Sequence, residues 1–127
     1  MTDVSISIDV PDLDQAEKFY REALDCVPYD KPKGMCILQA GITKIYLLAK
    51  KEGTIPFAGS EQARSYSRHW TPIHLDFASD DIDASAELIR THGGTIEGVD
   101  SGSWGSIAYC SDPFGNGFCL INEQTDA

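Results

Sequence analysis

"IHLDFASDDIDASAELI", residues 73–89, echoes "VSISIDVPDLDQAEKFY", residues 4–20, when the chain is slid along itself by 69 positions. Ile6 and Ile8 fall on Leu75 and Phe77, and Asp12-Leu13-Asp14 falls on Asp81-Ile82-Asp83. In each copy, alternating apolar residues predict a strand with one buried face. An Asp follows where a helix N-cap belongs, because its short side chain accepts the orphan backbone N–H groups of the first turn. Leu13, Ala16, Phe19, Tyr20 and Ala23 then recur at helical spacing, as do Ile82, Ser85, Ala86, Leu88 and Ile89. "HGG" at 92–94 stops the second helix, glycine tolerating the left-handed conformation of a C-terminal cap. The copies differ in one telling place: the second has His74 where the first has Ser5.

Downstream of each helix lie short strand candidates. The first copy offers "MCILQAG" and "TKIYLLAKK"; the second offers "TIEGVD", "GSIAYCSD" and "GFCLINE" with Gly-rich breaks between them. "DPFGNG", residues 112–117, predicts a tight turn, since Pro fixes one φ and Gly and Asn accept positive φ. Each copy therefore reads as strand, helix, then two or three strands. The chain divides into units of about 4–50 and 72–123 within one domain, joined by a long loop, 51–71, of a length that is often functional.

Bulk composition narrows the function. With 127 residues the chain can bury one core rather than two. A formal charge of -10 disfavours nucleic acid and anionic membranes, whose affinity for proteins comes from Lys and Arg. No apolar run approaches the ~20 residues of a membrane span, and no signal-peptide layout opens the chain, so a cytoplasmic location is expected. Cys26, Cys36, Cys110 and Cys119 form no C-x-x-C pair. They are expected to be reduced, buried apolar residues rather than a zinc finger or a redox pair.

"VPDLDQAEKFYREAL" (10–24), "IHLDFASDDIDASAELI" and "DPFGNGFCLIN" (112–122), in this order and spacing, resemble the vicinal oxygen chelate superfamily of glyoxalases, bleomycin-resistance proteins and extradiol dioxygenases. The resemblance runs from about Val4 to Asn122. It implies an α+β fold of tandem βαβββ units, forming a cupped mixed sheet around a cleft. It also implies a homodimer that binds a small-molecule ligand. Metal-using members carry ligands on the first and last strands of each unit, and those positions here align with Ser5, Tyr46, His74 and Cys119. Only His74 matches. Ser and Tyr hydroxyls stay protonated at neutral pH and make poor ligands, so no cofactor is expected. A divalent metal would have to rest on His74 and Cys119, with Asp76 as a third donor on the same strand face.

Three roles stand open for His74: metal ligand, polar handle or acid/base in a cleft, and hydrogen-bonded structural histidine. Its candidate neighbours in the cleft are Tyr46, Asp76, Arg68, Trp70, Trp104, Tyr109 and Cys119. "RSYSRHWTPIH", 64–74, reads either as a loop anchored by its aromatics or as a lid. As a lid it would stack Trp70 on a planar ligand and turn Arg64 or Arg68 to an anionic group. A nucleophilic Cys119 would need a lowered pKa, and Asp9 could line the cleft or face water. The expected function is metal-independent binding of a small aromatic or anionic molecule. Its competitor is a divalent-metal lyase, isomerase or dioxygenase.

Overall fold

Asp12 and Asp81 cap the two helices as expected. Each has extended backbone, and each side chain accepts from the N–H three residues on, Gln15 or Ala84. The computed structural model describes residues 2–123. In chain order the elements are β1 (Ile6–Val10), α1 (Leu13–Glu22), β2 (Val27–Asp30), β3 (Met35–Ala40), β4 (Thr43–Ala49), β5 (Leu75–Ala78), α2 (Ile82–Thr91), β6 (Thr95–Gly102), β7 (Gly105–Ser111) and β8 (Gly117–Glu123). They form two four-stranded mixed sheets of matching order, β1-β4-β3-β2 and β5-β8-β7-β6. In each, the first strand runs parallel to the last and the remaining pairs are antiparallel. The tandem βαβββ architecture is thus confirmed. No helix among the described residues is long and apolar enough to cross a membrane.

β2, "VPYD", is a strand the sequence pattern does not reveal. All four of its residues are exposed, so no alternation marks it, and Pro28 is tolerated because β2 is an edge strand. A register shift between Pro28 and Asp30 bulges the strand at Tyr29. β6 repeats the irregularity between Ile96 and Gly98, at Glu97.

One apolar cluster joins the units. Phe19 and Tyr20 of α1, Leu38 and Leu47 of the first sheet, Ile89 of α2 and Phe118 and Leu120 of β8 all belong to it. Phe19 packs edge-to-face on both Tyr20 and Phe118. The four cysteines are free and buried, as expected for small apolar residues.

A polar joint crosses the same core. Asp112, 2% exposed, opens the "DPFGNG" turn, and its Oδ1 accepts from the Phe114 and Asn116 N–H groups at 2.8 and 2.9 Å. Its Oδ2 accepts from the Tyr20 hydroxyl at 2.7 Å and from Asn116 Nδ2 at 3.0 Å. Asn116 Nδ2 also reaches the Asp9 carbonyl at the end of β1. Four donors satisfy a carboxylate that would otherwise be costly to bury. Burial, then the Asp112 charge, pushes the Tyr20 hydroxyl well above its ordinary pKa, keeping it a donor.

Candidate functional site

The β5–β8 register sets Asp76 opposite Cys119, and the β7–β8 register sets Tyr109 opposite the same cysteine. Partners in register share a face, so Asp76, Cys119 and Tyr109 make a row across the second sheet that ends at the Glu97 bulge. Phe77, Phe118 and Leu120 face the other way, into the core. His74 stands just before β5, two residues from Asp76 and on its face. Its Nδ1 lies 2.9 Å from Asp76 Oδ1. With an N–H at Nδ1 donating to that carboxylate, Nε2 is the ring nitrogen left to meet other groups.

His74, Asp76 and Cys119 present ligand atoms all within 4.8 Å of one another. The thiol is not reactive as it stands. Burial first, and the Asp76 carboxylate second, push it up to about 11. Nucleophilic attack by Cys119 at neutral pH therefore has no support. The equivalent row of the first sheet is Ser7, Tyr46 and Ile37, ending at the Tyr29 bulge. A chelate drawing donors from both units would have to use the hydroxyls of Ser5 and Tyr46. These residues do not fit a resident divalent ion, whereas the second unit alone gathers an imidazole, a carboxylate and a thiol.

Residues 64–73 form a strap without helix or strand, held at both ends. Arg64 Nε meets Asp9 Oδ2 at 2.7 Å, while its Nη1 reaches the Ile55 carbonyl at 3.0 Å. The Tyr66 hydroxyl donates to the Lys50 carbonyl at 2.7 Å. Arg68 grips Glu97 with two nitrogens, Nε to Oε2 at 2.5 Å and Nη2 to Oε1 at 2.7 Å. That fork holds the Glu97 carboxyl below its ordinary range. The Arg68 guanidinium also lies 4.4 Å from the centre of the Trp70 ring. Trp70 in turn stands edge-on to His74 and Tyr109, with ring centres 6.0 and 5.9 Å apart. Both arginines expected to greet an anion are thus already engaged by carboxylates of the same chain.

Where the units meet, a cavity of about 590 Å³ opens between β1, the strap, the start of β5 and the "DPFGNG" turn. Ile6, Ile8, Leu75 and Phe118 give it apolar walls, with Asp9 and His74 among its polar groups. Of the residues singled out in sequence as cleft candidates, His74 lines it. Tyr46, Asp76, Arg68, Trp70, Trp104, Tyr109 and Cys119 do not. Asp76, Cys119, Trp70, Tyr109 and Arg68 instead form the adjoining cluster around His74. Trp104 lies in the β6–β7 turn, half exposed, its ring against Gly102. His69, Thr71 and Asn116 are cavity residues that the sequence pattern does not expose. Glu97 is also missed, though the glycine after it, Gly98, marks the kind of strand irregularity that re-aims a side chain.

Residues 5–121 match the family model of the glyoxalase-like domain. The chain belongs to this family, and with it to the vicinal oxygen chelate superfamily. Solved structures agree at the level of fold. The genomically encoded fosfomycin resistance protein FosX from Listeria monocytogenes superposes with a TM-score of 0.75 at 14% identity, covering 98% of this chain and 94% of its own. A lactoylglutathione lyase from Agrobacterium tumefaciens gives 0.67 at 20% identity, covering 95% and 92%. A glyoxalase/bleomycin resistance protein from Albidiferax ferrireducens T118 gives 0.69 at 22% identity, covering 95% and 98%. No curated protein matches by sequence.

Proposed function

We propose that this protein binds a small organic molecule without a resident metal, in the cavity between its two units. The observation that carries the proposal is the cavity itself: about 590 Å³, with apolar walls from Ile6, Ile8, Leu75 and Phe118 and polar side chains from β1, the strap and His74. That is the usual size and character of a small-molecule site. The Ser5 and Tyr46 hydroxyls support metal independence, since neither is a competent donor at neutral pH. His74 is the polar handle. Asp76 orients its ring, and Nε2 is left to accept a hydrogen bond from the guest or take a proton from it. Pairing with a second copy and a cytoplasmic location belong to the same proposal.

A thermal-shift screen against metabolites and antibiotics, run with a chelator present, tests this. Hits should raise the melting temperature of the parent protein. They should do so far less in His74→Ala and in Ser7→Phe, which fills the cavity from β1. Hits that act equally on all three proteins would sink the site assignment.

The second reading is a divalent-metal lyase, isomerase or dioxygenase; one structural neighbour is named a lactoylglutathione lyase. The closeness of His74, Asp76 and Cys119 favours it. Three donors with an open fourth position resemble the donor count of catalytic zinc sites. Those three side chains would hold the ion, which would polarise an oxygen of the substrate. Untagged protein melting at an unchanged temperature with added Zn²⁺, Ni²⁺, Mn²⁺ or Fe²⁺ speaks against it.

A further inference from the structure

Arg68 and Trp70 hold the second sheet the way a bound guest would. They arise from a strap with no regular structure, and their partners, Glu97, His74 and Tyr109, stand on or next to the sheet. A planar cation makes a two-pronged contact with a carboxylate, at 2.5 and 2.7 Å. A flat ring beneath it stands edge-on to two further rings, at interplanar angles of 84° and 87°. The sheet also leaves room for the cation. A Cβ on Gly117 would stand 2.8 Å from Arg68 Nη2, so only glycine lets the guanidinium lie where it does. The Glu97 bulge supplies the carboxylate, and the row beside it adds Asp76. With the strap lifted, this face presents two carboxylates, an imidazole and a phenol ring.

We infer that this face is a binding site for a flat aromatic cation, an aryl amidine or guanidine in chemical class, and that Arg68 and Trp70 are its built-in competitor. The inference rests on the reading that the chain binds a small organic molecule, and it adds a second, charge-selective place beside the cavity. Glu97 receives the cationic head, as it receives Arg68. Tyr109 and His74 receive the ring, as they receive Trp70. An anion of the same shape meets Glu97 and Asp76 and is refused. Because the strap occupies the site, affinity is set by the competition. Weakening the strap's own hold tightens ligand binding, whereas an ordinary contact residue loses affinity when removed.

Benzamidine is the probe and benzoate its isosteric anion, titrated calorimetrically into the full chain. Benzamidine should bind Trp70→Ala and Arg68→Ala at least tenfold more tightly than the parent, and Glu97→Gln in the Trp70→Ala background should abolish the gain. Benzoate should bind none of them. Equal binding of benzoate overturns the inference, as does benzamidine affinity unchanged or weakened in both strap variants. Backbone amide shifts in the parent protein provide a readout that needs no variant to fold. Benzamidine should move Glu97, Tyr109 and Cys119, and movement confined to Ser7 and Asn116 counts against it. A screening hit that loses affinity in His74→Ala supports the cavity reading by itself, so benzamidine failing as above beside such a hit overturns this inference and leaves the cavity reading intact.

Discussion

Two rows of residues, one per sheet, occupy matching places in the two units and share almost no chemistry. In the first unit the row is Ser7, Tyr46 and Ile37, ending at Tyr29 and Asp30; in the second it is Asp76, Cys119 and Tyr109, ending at Glu97 and Gly98. Each ends at a bulge in its outermost strand. The first row carries no imidazole or thiol, its one carboxylate, Asp30, stands on the exposed edge strand, and a lysine from its own sheet, Lys44, sits 4.2 Å above the Tyr29 ring. The second carries two carboxylates and a thiol beside His74, and the strap lies across it. The repeat thus preserves a backbone frame while its functional groups have collected on one side. The donor atoms for a one-sided site lie in the second unit.

The largest expected effect lies at the joint between the units. Asp112→Ala leaves the Tyr20 hydroxyl and the Asn116 amide without their shared acceptor. It should lower stability by about 3 kcal/mol in urea unfolding, the scale for breaking a buried charged hydrogen-bond network. The turn before β4 is the first unit's counterpart, and Gly41→Ala there should lose only about 1 kcal/mol. Gly41 has φ 60° but open space around it. Equal losses would mean the joint is no more than a turn.

Alkali should then separate the parent from Cys119→Ser. The folded thiol titrates higher, at about 11, than it does in the unfolded chain, so folding favours its neutral form. That contribution is fully present below the unfolded value of ~8.5 and is lost as pH rises from there towards the folded value. Cys26 and Cys110, raised to about 11 and about 12 by burial, act in the same direction. The serine variant should therefore lose less stability than the parent between neutral pH and strong alkali. Identical curves would place the thiol in a wetter environment.

Acid tests the strap. The Glu97 carboxyl is depressed by Arg68, so its contribution is present above the unfolded value of ~4.3 and disappears as pH falls through the lower folded one. Trp70 emission should shift in that acidic window, by an amount matching roughly 1 kcal/mol or less, and Glu97→Gln should abolish the transition. The smallest effect belongs to the open face. Lys44→Ala removes an exposed cation–π contact and should leave the urea midpoint indistinguishable from the parent's.

The parts that local pattern reveals are the parts built locally. Asp12 and Asp81 announce their helices because capping acts over three residues, and alternation marks strands whose faces differ in burial. β2 escapes for the converse reason: "VPYD" is exposed throughout and interrupted by Pro28. The Tyr20–Asp112 bond spans 92 positions, and nothing near either residue advertises the other. The strap shows the same limit in the candidate site. Arg68 reads as a ready anion contact because its partner, Glu97, lies 29 residues away at a bulge. Gly117 reads as a turn residue, though it also makes room for the Arg68 guanidinium. His74 is legible because it breaks a repeat, and Asp76 because a strand alternates.

The decisive measurement is the metal content of untagged protein after exhaustive dialysis, read by elemental mass spectrometry for the parent and His74→Ala. Hydroxyls at Ser5 and Tyr46 predict well under a tenth of an equivalent of any transition metal in both proteins. One equivalent retained by the parent and released by His74→Ala would contradict a hollow that takes its guest unaided.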